Sequence, residues 1–370
     1  RQMCIRDRQE TGEANIVKAV KEPSLLPGSF ASAEAVAYLA AQKFVMYSPL
    51  YRLEQEFNRQ GLKLSRQTMA NWLLNISEKW LRPVYDVLRE QLCRESVLHA
   101  DETTLQVLKE PGRKNTSDSY MWVYCSIRDA VNPIRYFEYQ PGRSGKYPEA
   151  FLRKYEGYIH TDAYSGYNAV SGVKRCLCYT HLRRAFVDAL PKDIHNSEAS
   201  KPAEAILRLN QLFNIESELE ALPPDQKKKE RLIREKPLLE AFWSWAEKSA
   251  IGELPKSKLS KAFHYALNNR EGFWNYLEDG NCSISNSLAE NCIRPFVIGR
   301  KNWLFSGSPK GAEASAGIYT LVETAKANGL APMKYIKYIL SDMPGSAFLE
   351  HPEYLDDYLP WNPLVKEFCR

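Results

Sequence analysis

Apolar residues recur at helical spacing through the first quarter of the chain, beginning near Ser32, whose hydroxyl suits a helix N-cap. Gly61 then supplies a turn, and Ser65 begins a second helix whose apolar residues share one face: Met69, Trp72, Leu73, Ile76 and Trp80. Polar residues suited to phosphates or base edges occupy the other face: Arg66, Gln67 and Asn71. The pattern predicts a helical, helix-turn-helix-like DNA-binding segment over residues 32–94, with a plain helical hairpin as the alternative.

From residue 97 the apolar spacing changes to the two-residue alternation typical of β-strands. We predict strands over 97–108, 119–127, 133–139 and 157–162, with a short helix over 148–155 before the last of them. Three strands, a helix and a further strand are the first half of a ribonuclease-H-like domain. The predicted fold class is therefore α/β, with a helical N-terminal domain followed by residues 95–194 as the first part of a ribonuclease-H-like catalytic core.

Helical spacing returns after the strands and continues towards the C-terminus. Residues 195–280 are expected to form a helical insertion, and residues 281–345 the second part of the core, with helices over 315–328 and 332–340. Gly329 lies where the first of these two helices should stop. The proline- and aromatic-rich C-terminal tail, residues 346–370, is expected to pack as loop.

The opening residues are treated separately from the rest of the chain. Residues 1–31 are polar and contain Pro23, Pro27 and Gly28, which predicts a linker. The string at residues 3–8 resembles translated sequencing-adapter read-through, so about eight residues are expected to be non-native. On that interpretation a natural N-terminal region is missing and the chain is truncated.

Composition narrows the class of protein. Hydrophobic residues make up 44% of the 370 residues, and no stretch approaches the roughly 18 apolar residues of a membrane helix. No secretory signal is visible, and the eight cysteines are scattered without a CxxC pair, which argues against a disulfide framework or a zinc finger. The net charge of +5 permits a nucleic-acid partner without requiring one. We therefore expect a soluble, cytoplasmic protein.

Three carboxylates are candidates for chemistry because of where the pattern places them. Asp101 lies in the middle of a predicted strand, Asp162 closes another, and Glu290 lies on a later helix, one turn after Asn286 and one turn before Arg294. Carboxylates arranged in this way can hold two Mg²⁺ ions for phosphodiester chemistry. A solvated strand aspartate and a surface helix glutamate are the plainer interpretation.

Basic residues with interleaved aromatic residues follow Glu290 in the chain: Arg294, Arg300, Lys301, Trp303, Phe305 and Lys310. Guanidinium and ammonium groups neutralise phosphates, and exposed aromatic rings stack on unpaired bases, so this cluster is a candidate DNA-binding surface. A second basic group follows Asp162: Lys174, Arg175, Arg183 and Arg184. A solvated basic loop around a buried tryptophan is the alternative for the first cluster.

Cysteine and histidine residues near the predicted acidic cluster have smaller expected roles. Cys178 and His181 have the spacing of half a zinc site, but no partner pair matches, and a structural role near the active site is favoured. Two-residue alternation puts three side chains on one strand face: His99, Asp101 and Thr103. His99 and His160 are single strand histidines, which usually pack or form hydrogen bonds rather than bind metal.

A series of short motifs occurs in one order along about residues 25–360. They are Ser48-Pro49-Leu50-Tyr51-Arg52, Leu64-Ser65-Arg66-Gln67-Thr68, His99-Ala100-Asp101-Glu102-Thr103, Asp162-Ala163-Tyr164-Ser165-Gly166-Tyr167, Cys178-Tyr179-Thr180-His181-Leu182-Arg183-Arg184, Ala289-Glu290-Asn291-Cys292-Ile293-Arg294-Pro295 and Gly299-Arg300-Lys301-Asn302-Trp303-Leu304-Phe305. In order and approximate spacing they resemble the transposases of the insertion sequence 66 family. The set is a strong signal, although each motif alone is weak.

The resemblance implies a ribonuclease-H-like catalytic domain with a helical insertion between the second Asp and the Glu. It assigns catalysis and metal binding to Asp101, Asp162 and Glu290, with two Mg²⁺ ions and Mn²⁺ as a substitute. It also implies a DNA substrate, the terminal inverted repeats of a transposon and a target DNA, in a bacterial-type, nucleoid-associated protein. Two copies are expected to act together on DNA because two ends must be joined, with accessory proteins of the same element as further partners and no membrane partner.

The predicted function is a DNA transposase that cuts transposon ends and joins them to target DNA by two-metal phosphodiester chemistry. Two rivals stay open: a nuclease of the same fold without strand transfer, and a catalytically inactive, transposase-derived DNA-binding protein. The second rival is motivated by the truncated start and by Ser285 and Asn291, where family members often carry Asp and Arg. A helical scaffold protein is disfavoured by the block of predicted strands.

Overall fold

The computed structural model describes residues 24–191 and 200–370, together with the backbone of two short antiparallel strands, β1 (Ile5–Arg8) and β2 (Ala14–Val17). Much of the predicted linker lies outside the described residues. Where the segment is described it differs from a linker, because β1 pairs with β2 and both Leu25 and Leu26 are buried. Trp80 Nε1 donates to the Leu25 carbonyl at 2.9 Å, which ties this segment to the helices that follow.

The N-terminal helices are α1 (Ala33–Phe44), α2 (Leu50–Arg59), α3 (Arg66–Ile76) and α4 (Arg82–Leu92). Both predicted N-caps are confirmed, since Ser32 accepts from the Ala35 N–H and Ser65 from the Thr68 N–H, each at 3.1 Å. Gly61 turns the chain at φ +80°, a conformation that glycine adopts without strain. The apolar face predicted for the second helix is buried, and its polar residues are exposed: Arg66, Gln67 and Asn71.

A mixed sheet with surrounding helices follows, as the predicted α/β class requires. In chain order its elements are β3 (Val97–Val107), β4 (Asp118–Ser126), β5 (Arg135–Gln140), α5 (Lys146–Phe151), β6 (Gly157–Thr161), β7 (Val173–Leu177) and α6 (Tyr179–Asp188). The strand order is β5-β4-β3-β6-β7, with β3–β4 and β4–β5 antiparallel and β3–β6 and β6–β7 parallel. The four predicted strands are confirmed within a few residues, and β7 was not predicted.

The helices after the sheet fall into two groups. The range predicted as an insertion contains α7 (Lys201–Glu218), α8 (Pro224–Arg234), α9 (Lys236–Ala250), α10 (Lys258–Asn268) and α11 (Arg270–Trp274). All of these helices except α8 contribute to a hydrophobic core shared with α6 and β7, built around Trp243, Phe186 and Phe263. The second group is α12 (Ser287–Trp303), the short strand β8 (Phe305–Ser306), α13 (Pro309–Ala327), α14 (Pro332–Asp342) and α15 (Pro363–Cys369). β8 pairs in parallel with the end of β3.

Helices cover both edges of the sheet. Along β5, the backbone N–H groups of Phe137 and Arg135 donate to the hydroxyls of Thr320 and Thr324 on α13, at 2.8 and 3.1 Å. Along β7, Asn275 Nδ2 donates to the Arg175 carbonyl at 2.8 Å. Two edge donors of β5 and one edge acceptor of β7 therefore have side-chain partners from neighbouring segments.

The C-terminal tail is not loop as predicted. Its last residues form α15, which begins where the Asn362 side chain accepts from the Leu364 N–H at 2.9 Å and Pro363 occupies the first turn. Val365 and Cys369 are buried, and the Ala331 N–H donates to the Cys369 carbonyl at 2.7 Å, so burial against α14 stabilises a helix that turn-forming residues had obscured. In the described part of the chain, every helix is too short or too polar to span a lipid bilayer.

Candidate active site

Two aspartates extend from neighbouring parallel strands at the same level. β3 pairs with β6 with His99 opposite His160, and each histidine precedes an aspartate, Asp101 or Asp162, by two residues. Glu290 lies in the first turn of α12, which packs against β3. The three carboxylates singled out in the sequence are therefore brought together by two strands and one helix.

The carboxyl group of Asp101 interacts electrostatically with the other acidic groups. Burial raises the pKa of Asp101 to about 7, with further contributions from the negative charges of Glu102, Asp162 and Glu290. The Glu102 backbone N–H donates to Asp101 Oδ1 at 2.9 Å, which opposes this rise in the pKa. The cluster carries negative charge that a cation would stabilise.

Backbone hydrogen bonds orient both aspartates. Glu102 N donates to Asp101 Oδ1 and Tyr164 N donates to Asp162 Oδ1, each at 2.9 Å, which fixes one oxygen of each carboxylate. Within residues 24–191 and 200–370, Glu290 Oε1 is a buried atom without a hydrogen-bond partner. The arrangement resembles a set of preoriented oxygen ligands more than a set of surface carboxylates.

Asn286, just before α12, links Glu290 to the strand that carries Asp101. Its side chain contacts His99 Nδ1 at 3.1 Å and donates to the Ala100 carbonyl at 2.8 Å. Its backbone N–H donates to Cys178 Sγ at 3.1 Å, and its carbonyl accepts from Glu290 N at 3.3 Å. Because Asn286 is only 1% exposed, these contacts fix where the helix begins and therefore where Glu290 lies.

Asn286→Ala is expected to lower the free energy of unfolding by about 1–3 kcal/mol, because it leaves the buried Ala100 carbonyl without its donor. Urea denaturation at pH 7 measures the change. The control is Asn291→Ala, an exposed residue of the same helix, which should change the free energy of unfolding by less than about 0.5 kcal/mol. Equal effects from the two variants would contradict the role given to Asn286.

The two strand histidines pack and form hydrogen bonds, as the sequence indicated. Their rings stack with centroids 4.4 Å apart, and His160 Nε2 accepts from the Ser283 N–H at 3.1 Å. Burial lowers the pKa of His99 to about 4 and lowers the pKa of His160 well below its ordinary value. Both imidazoles are therefore neutral at physiological pH and join β3, β6 and the segment before α12.

A partly buried ion pair beside Asp101 was not predicted from the sequence. The Glu102 side chain is 2% exposed, and its Oε1 lies 2.6 Å from Arg143 Nη2. Tyr167 donates its hydroxyl hydrogen to Glu102 Oε2 at 2.9 Å, and the Arg143 guanidinium lies 3.9 Å from the centre of the Tyr164 ring. Glu102 and the two tyrosines belong to the quoted motifs, whereas no motif contains Arg143. A partly exposed guanidinium therefore lies next to the acidic cluster.

The turn after Asp162 depends on Arg175, which the sequence had grouped with the basic surface. Its guanidinium donates to Thr161 Oγ1 at 2.7 Å and to the carbonyls of Asp162 and Tyr164 at 2.5 and 2.7 Å. Its neighbour Lys174 pairs with Glu278. Arg175 is therefore a structural residue of the acidic site, because its guanidinium bonds to the Thr161 hydroxyl and to two backbone carbonyls of the turn.

The other predicted DNA-binding residues divide into exposed and engaged groups. Arg184, Arg294 and Lys301 are exposed. Lys310 is also exposed but pairs with Glu78 at 2.6 Å. Arg183 Nε donates to Asn210 Oδ1 at 2.7 Å, which directs it towards the helical insertion.

Arg300 and Trp303 contact the protein instead of presenting a stacking surface. Arg300 Nη1 donates to Thr103 Oγ1 and Thr104 Oγ1 at 3.2 and 3.0 Å, and so joins α12 to β3. Trp303 packs against the hydrophobic core, with its ring 5.4 Å from that of Phe296. The prediction that Trp303 stacks on bases does not agree with this position, because the apolar face of α12 turns the ring towards the core.

Cys178 and His181 lie beside Glu290. Cys178 immediately precedes α6, and His181 Nδ1 lies 3.7 Å from Glu290 Oε1. Burial alone would raise the pKa of the Cys178 thiol, but the adjacent His181 side chain and the Asn286 backbone N–H bring this pKa below its ordinary value. The neighbouring Cys178 sulfur in turn raises the pKa of His181. The favoured structural role near the acidic cluster is compatible with this position.

Sequence comparisons identify a family and individual proteins that are similar to this chain. A model of the Transposase IS66 family matches residues 28–314. Uncharacterized protein y4qI of Sinorhizobium fredii (strain NBRC 101917 / NGR234) is 29% identical over 368 residues, covering 95% of this chain and 66% of that protein. Two further proteins of the strain, y4hP and y4jD, are 28% and 26% identical, covering 90% and 95% of this chain and 63% and 70% of their own lengths. The chain thus spans 63–70% of the length of these relatives.

The matched range contains the acidic residues, Asn286 and the Cys178–His181 pair. It begins in the segment that packs against Trp80 and ends within α13. With the match extending over most of its length, the chain belongs to the IS66 family of transposases.

Proposed function

We propose that this chain carries the catalytic site of a DNA transposase that cuts transposon ends and joins them to target DNA by two-metal phosphodiester chemistry. The observation that carries the proposal is the meeting of Asp101, Asp162 and Glu290. Burial and the surrounding acidic charges raise the pKa of Asp101 to about 7. A carboxyl pKa raised in this way is typical of functional sites, because a solvated surface carboxylate would keep a pKa close to its ordinary value.

The order of elements supports a ribonuclease-H-like core for this function. Antiparallel β3, β4 and β5 are followed by α5 and then by β6, which returns in parallel beside β3. Asp101 on the central strand, Asp162 after its neighbour and Glu290 on a helix packed against the sheet match the arrangement expected from the family resemblance. Helices α7 to α11 lie in the chain between Asp162 and Glu290, where that resemblance implies an insertion.

The donor set fits Mg²⁺, with Mn²⁺ as a substitute. Asp101, Asp162 and Glu290 offer carboxylate oxygens, which are the ligands preferred by these hard cations. Two bound ions would stabilise the attacking and leaving oxygens of a phosphodiester during in-line displacement. Around them, Asn286 holds the start of α12, and Arg175 holds the turn after Asp162, so that the carboxylates keep their positions.

Positive groups around the cluster would hold the DNA backbone. Arg143 lies beside Glu102 with its side chain 40% exposed, and Arg184, Arg294 and Lys301 are exposed. Guanidinium and ammonium groups bind phosphates independently of the DNA sequence. The position of cleavage would therefore be selected by contacts made elsewhere on the protein. The polar face of α3 would contribute to end recognition.

Joining two ends implies two copies of the protein on one DNA complex. Accessory proteins of the same element are further proposed partners, and a DNA substrate would place the protein at the bacterial nucleoid. DNA ends held by one copy must meet those held by the other before strand transfer. We therefore propose a homo-oligomer that forms on DNA.

The test is cleavage of labelled DNA from the ends of the element that encodes the protein. With Mg²⁺ we expect a nick that frees a 3′-hydroxyl, followed by products joined to a target duplex. Chelation should remove both products, and Mn²⁺ should restore them. A reaction at unrelated DNA ends is the control for sequence dependence.

Each outcome separates the interpretations left open by the sequence. Nicking without joined products would favour a nuclease of the same fold. Specific binding of the ends without any cleavage in either metal would favour a catalytically inactive, transposase-derived DNA-binding protein and would overturn the proposal.

A further inference from the structure

A cysteine, a histidine and a glutamate from two helices meet beside the acidic cluster. One ligand atom each from Cys178, His181 and Glu290 lies within 4.8 Å of the others. Cys178 precedes α6, His181 lies in its first turn, and Glu290 lies in the first turn of α12. We propose that these residues form a binding site for a zinc-class cation, distinct in its donors from the oxygen-ligand site but sharing Glu290 with it.

The separation of the ligand atoms suits a tetrahedral ion. His181 Nδ1 and Glu290 Oε1 lie 3.7 Å apart. Two ligands about 2.1 Å from a tetrahedral Zn²⁺ ion are separated by roughly 3.4 Å, so a small side-chain adjustment brings both into coordination. Both side chains are about 30% exposed, which leaves a fourth position for water.

Two atoms at this point lack the partners that buried polar atoms normally have. His181 Nδ1 and Glu290 Oε1 are both buried atoms without a hydrogen-bond partner among the residues the structure describes. A buried polar atom without a partner destabilises the folded state, and here two such atoms lie 3.7 Å apart. A bound cation would satisfy both of them at once.

The sulfur of Cys178 is held in place by a backbone hydrogen bond. Its sulfur accepts the Asn286 backbone N–H at 3.1 Å, a contact that leaves the sulfur available to a metal while fixing its direction. Sulfur and imidazole nitrogen are soft or borderline donors, which bind Zn²⁺ well and Mg²⁺ poorly. The donor set therefore selects a different class of ion from the carboxylates of Asp101 and Asp162.

A second group of metal-binding residue types is fully buried, and one of its atoms, His160 Nδ1, also has no hydrogen-bond partner among the described residues. His160, Cys176 and Cys282 also lie close together and are buried. However, His160 Nε2 already accepts the Ser283 N–H at 3.1 Å, and the two sulfurs contact each other at 3.9 Å. This second cluster is therefore a matched control for the first.

Sharing of Glu290 has a consequence that rests on the proposed function. A carboxylate oxygen bound to Zn²⁺ beside His181 is withdrawn from the ligands offered to Mg²⁺. Zn²⁺ should therefore inhibit Mg²⁺-dependent cleavage in competition with Mg²⁺. The two kinds of ion would compete for Glu290, which lies in the first turn of α12.

The test uses Co²⁺ as a spectroscopic substitute for Zn²⁺, added to the full chain after chelator treatment and under reducing conditions. We expect one equivalent to give sulfur-to-cobalt charge-transfer absorption and the visible bands of a tetrahedral ion, both removed by Zn²⁺. Cys178→Ser keeps an acceptor for the Asn286 N–H but removes the thiolate, so the dissociation constant should rise by roughly 100-fold or more. Cys282→Ser should leave the spectrum and the dissociation constant unchanged.

Absence of the charge-transfer band, or its retention in Cys178→Ser, would overturn the site. Because absorption is read without DNA or Mg²⁺, this result stands whether or not the protein cleaves DNA. Circular dichroism of each variant excludes unfolding as the reason for lost binding. If Zn²⁺ binds but cleavage at limiting Mg²⁺ is unchanged, the sharing of Glu290 is wrong.

Discussion

Asp101→Asn is expected to reduce metal-dependent cleavage of transposon-end DNA by about 10³-fold or more. The substitution keeps the shape of the side chain and removes the negative charge that a cation requires. Metal ions contribute several kcal/mol to phosphodiester displacement, and each 1.4 kcal/mol corresponds to about tenfold in rate. The measurement is the single-turnover rate of nicking at saturating Mg²⁺.

The same variant should be more stable than the wild type in the absence of metal. The pKa of Asp101 is raised from 3.8 to about 7, so above pH 7 the ionised carboxylate destabilises the folded state. We expect Asp101→Asn to gain about 1–3 kcal/mol at pH 8. The gain should shrink as the pH falls from 7 towards 4, because the folded wild-type carboxyl takes up a proton there while the unfolded one stays ionised. Urea denaturation with chelator at several pH values measures it.

Opposite changes in activity and stability separate a functional carboxylate from a structural one. Asp129→Asn, at an exposed position, is the control and should change neither quantity. Normal nicking by Asp101→Asn would exclude Asp101 as a metal ligand. Lost nicking together with lost stability at pH 8 would instead assign Asp101 a structural role.

Arg231→Met should lower the free energy of unfolding by about 3–5 kcal/mol, because it removes the closer cation from buried Glu216, leaving Lys227 Nζ at 3.8 Å, and also leaves buried carbonyls without their donor. The Arg231 side chain is fully buried and contacts both oxygens of Glu216, at 2.6 and 2.8 Å. Its other donors bond to the carbonyls of Tyr276, Asp279 and Cys282, at 3.1, 3.1 and 2.8 Å. Urea denaturation monitored by tryptophan fluorescence measures the change.

Arg234→Met is the matched control, since Arg234 lies on the same helix and pairs with the exposed Glu218 at the surface. It should cost less than about 0.5 kcal/mol. The double variant Glu216→Leu/Arg231→Met removes both buried charges and should recover part of the lost stability. The assigned role of Arg231 is wrong if its replacement is no more harmful than that of Arg234.

Features that depend only on residues close together in the sequence, such as strand faces and helix N-caps, were predicted well. Two-residue alternation along β3 put His99 and Thr103 on one face, and both do contact the region of α12, through Asn286 and Arg300. The N-cap serines were equally visible, because a cap needs only a hydroxyl and the backbone that follows it. Asp101, Asp162 and Glu290 could be selected as candidates because of their places in the pattern: within a strand, at the end of a strand and on a helix.

Contacts made across the fold were not predictable in this way. Glu102 and Arg143 are 41 residues apart, and only the pairing of the strands brings them together. β7 was missed because Lys174 and Arg175 interrupt its apolar pattern, although Arg175 turns inward to bond around Asp162. Arg231 ends a run of charged residues that begins at Lys227, and sequence alone does not show that Glu216 is buried beside it. In each case tertiary contacts override the usual preference of a charged residue for solvent.

The threonine hydroxyls along β5 have a consequence for how copies of the protein meet. By accepting the N–H groups of Phe137 and Arg135, Thr320 and Thr324 use the donors that a strand from another molecule would need. The opposite side of the sheet is likewise occupied at the Arg175 carbonyl. Strand pairing with another molecule is therefore disfavoured at these positions of the sheet, which lowers the tendency of its edges to aggregate.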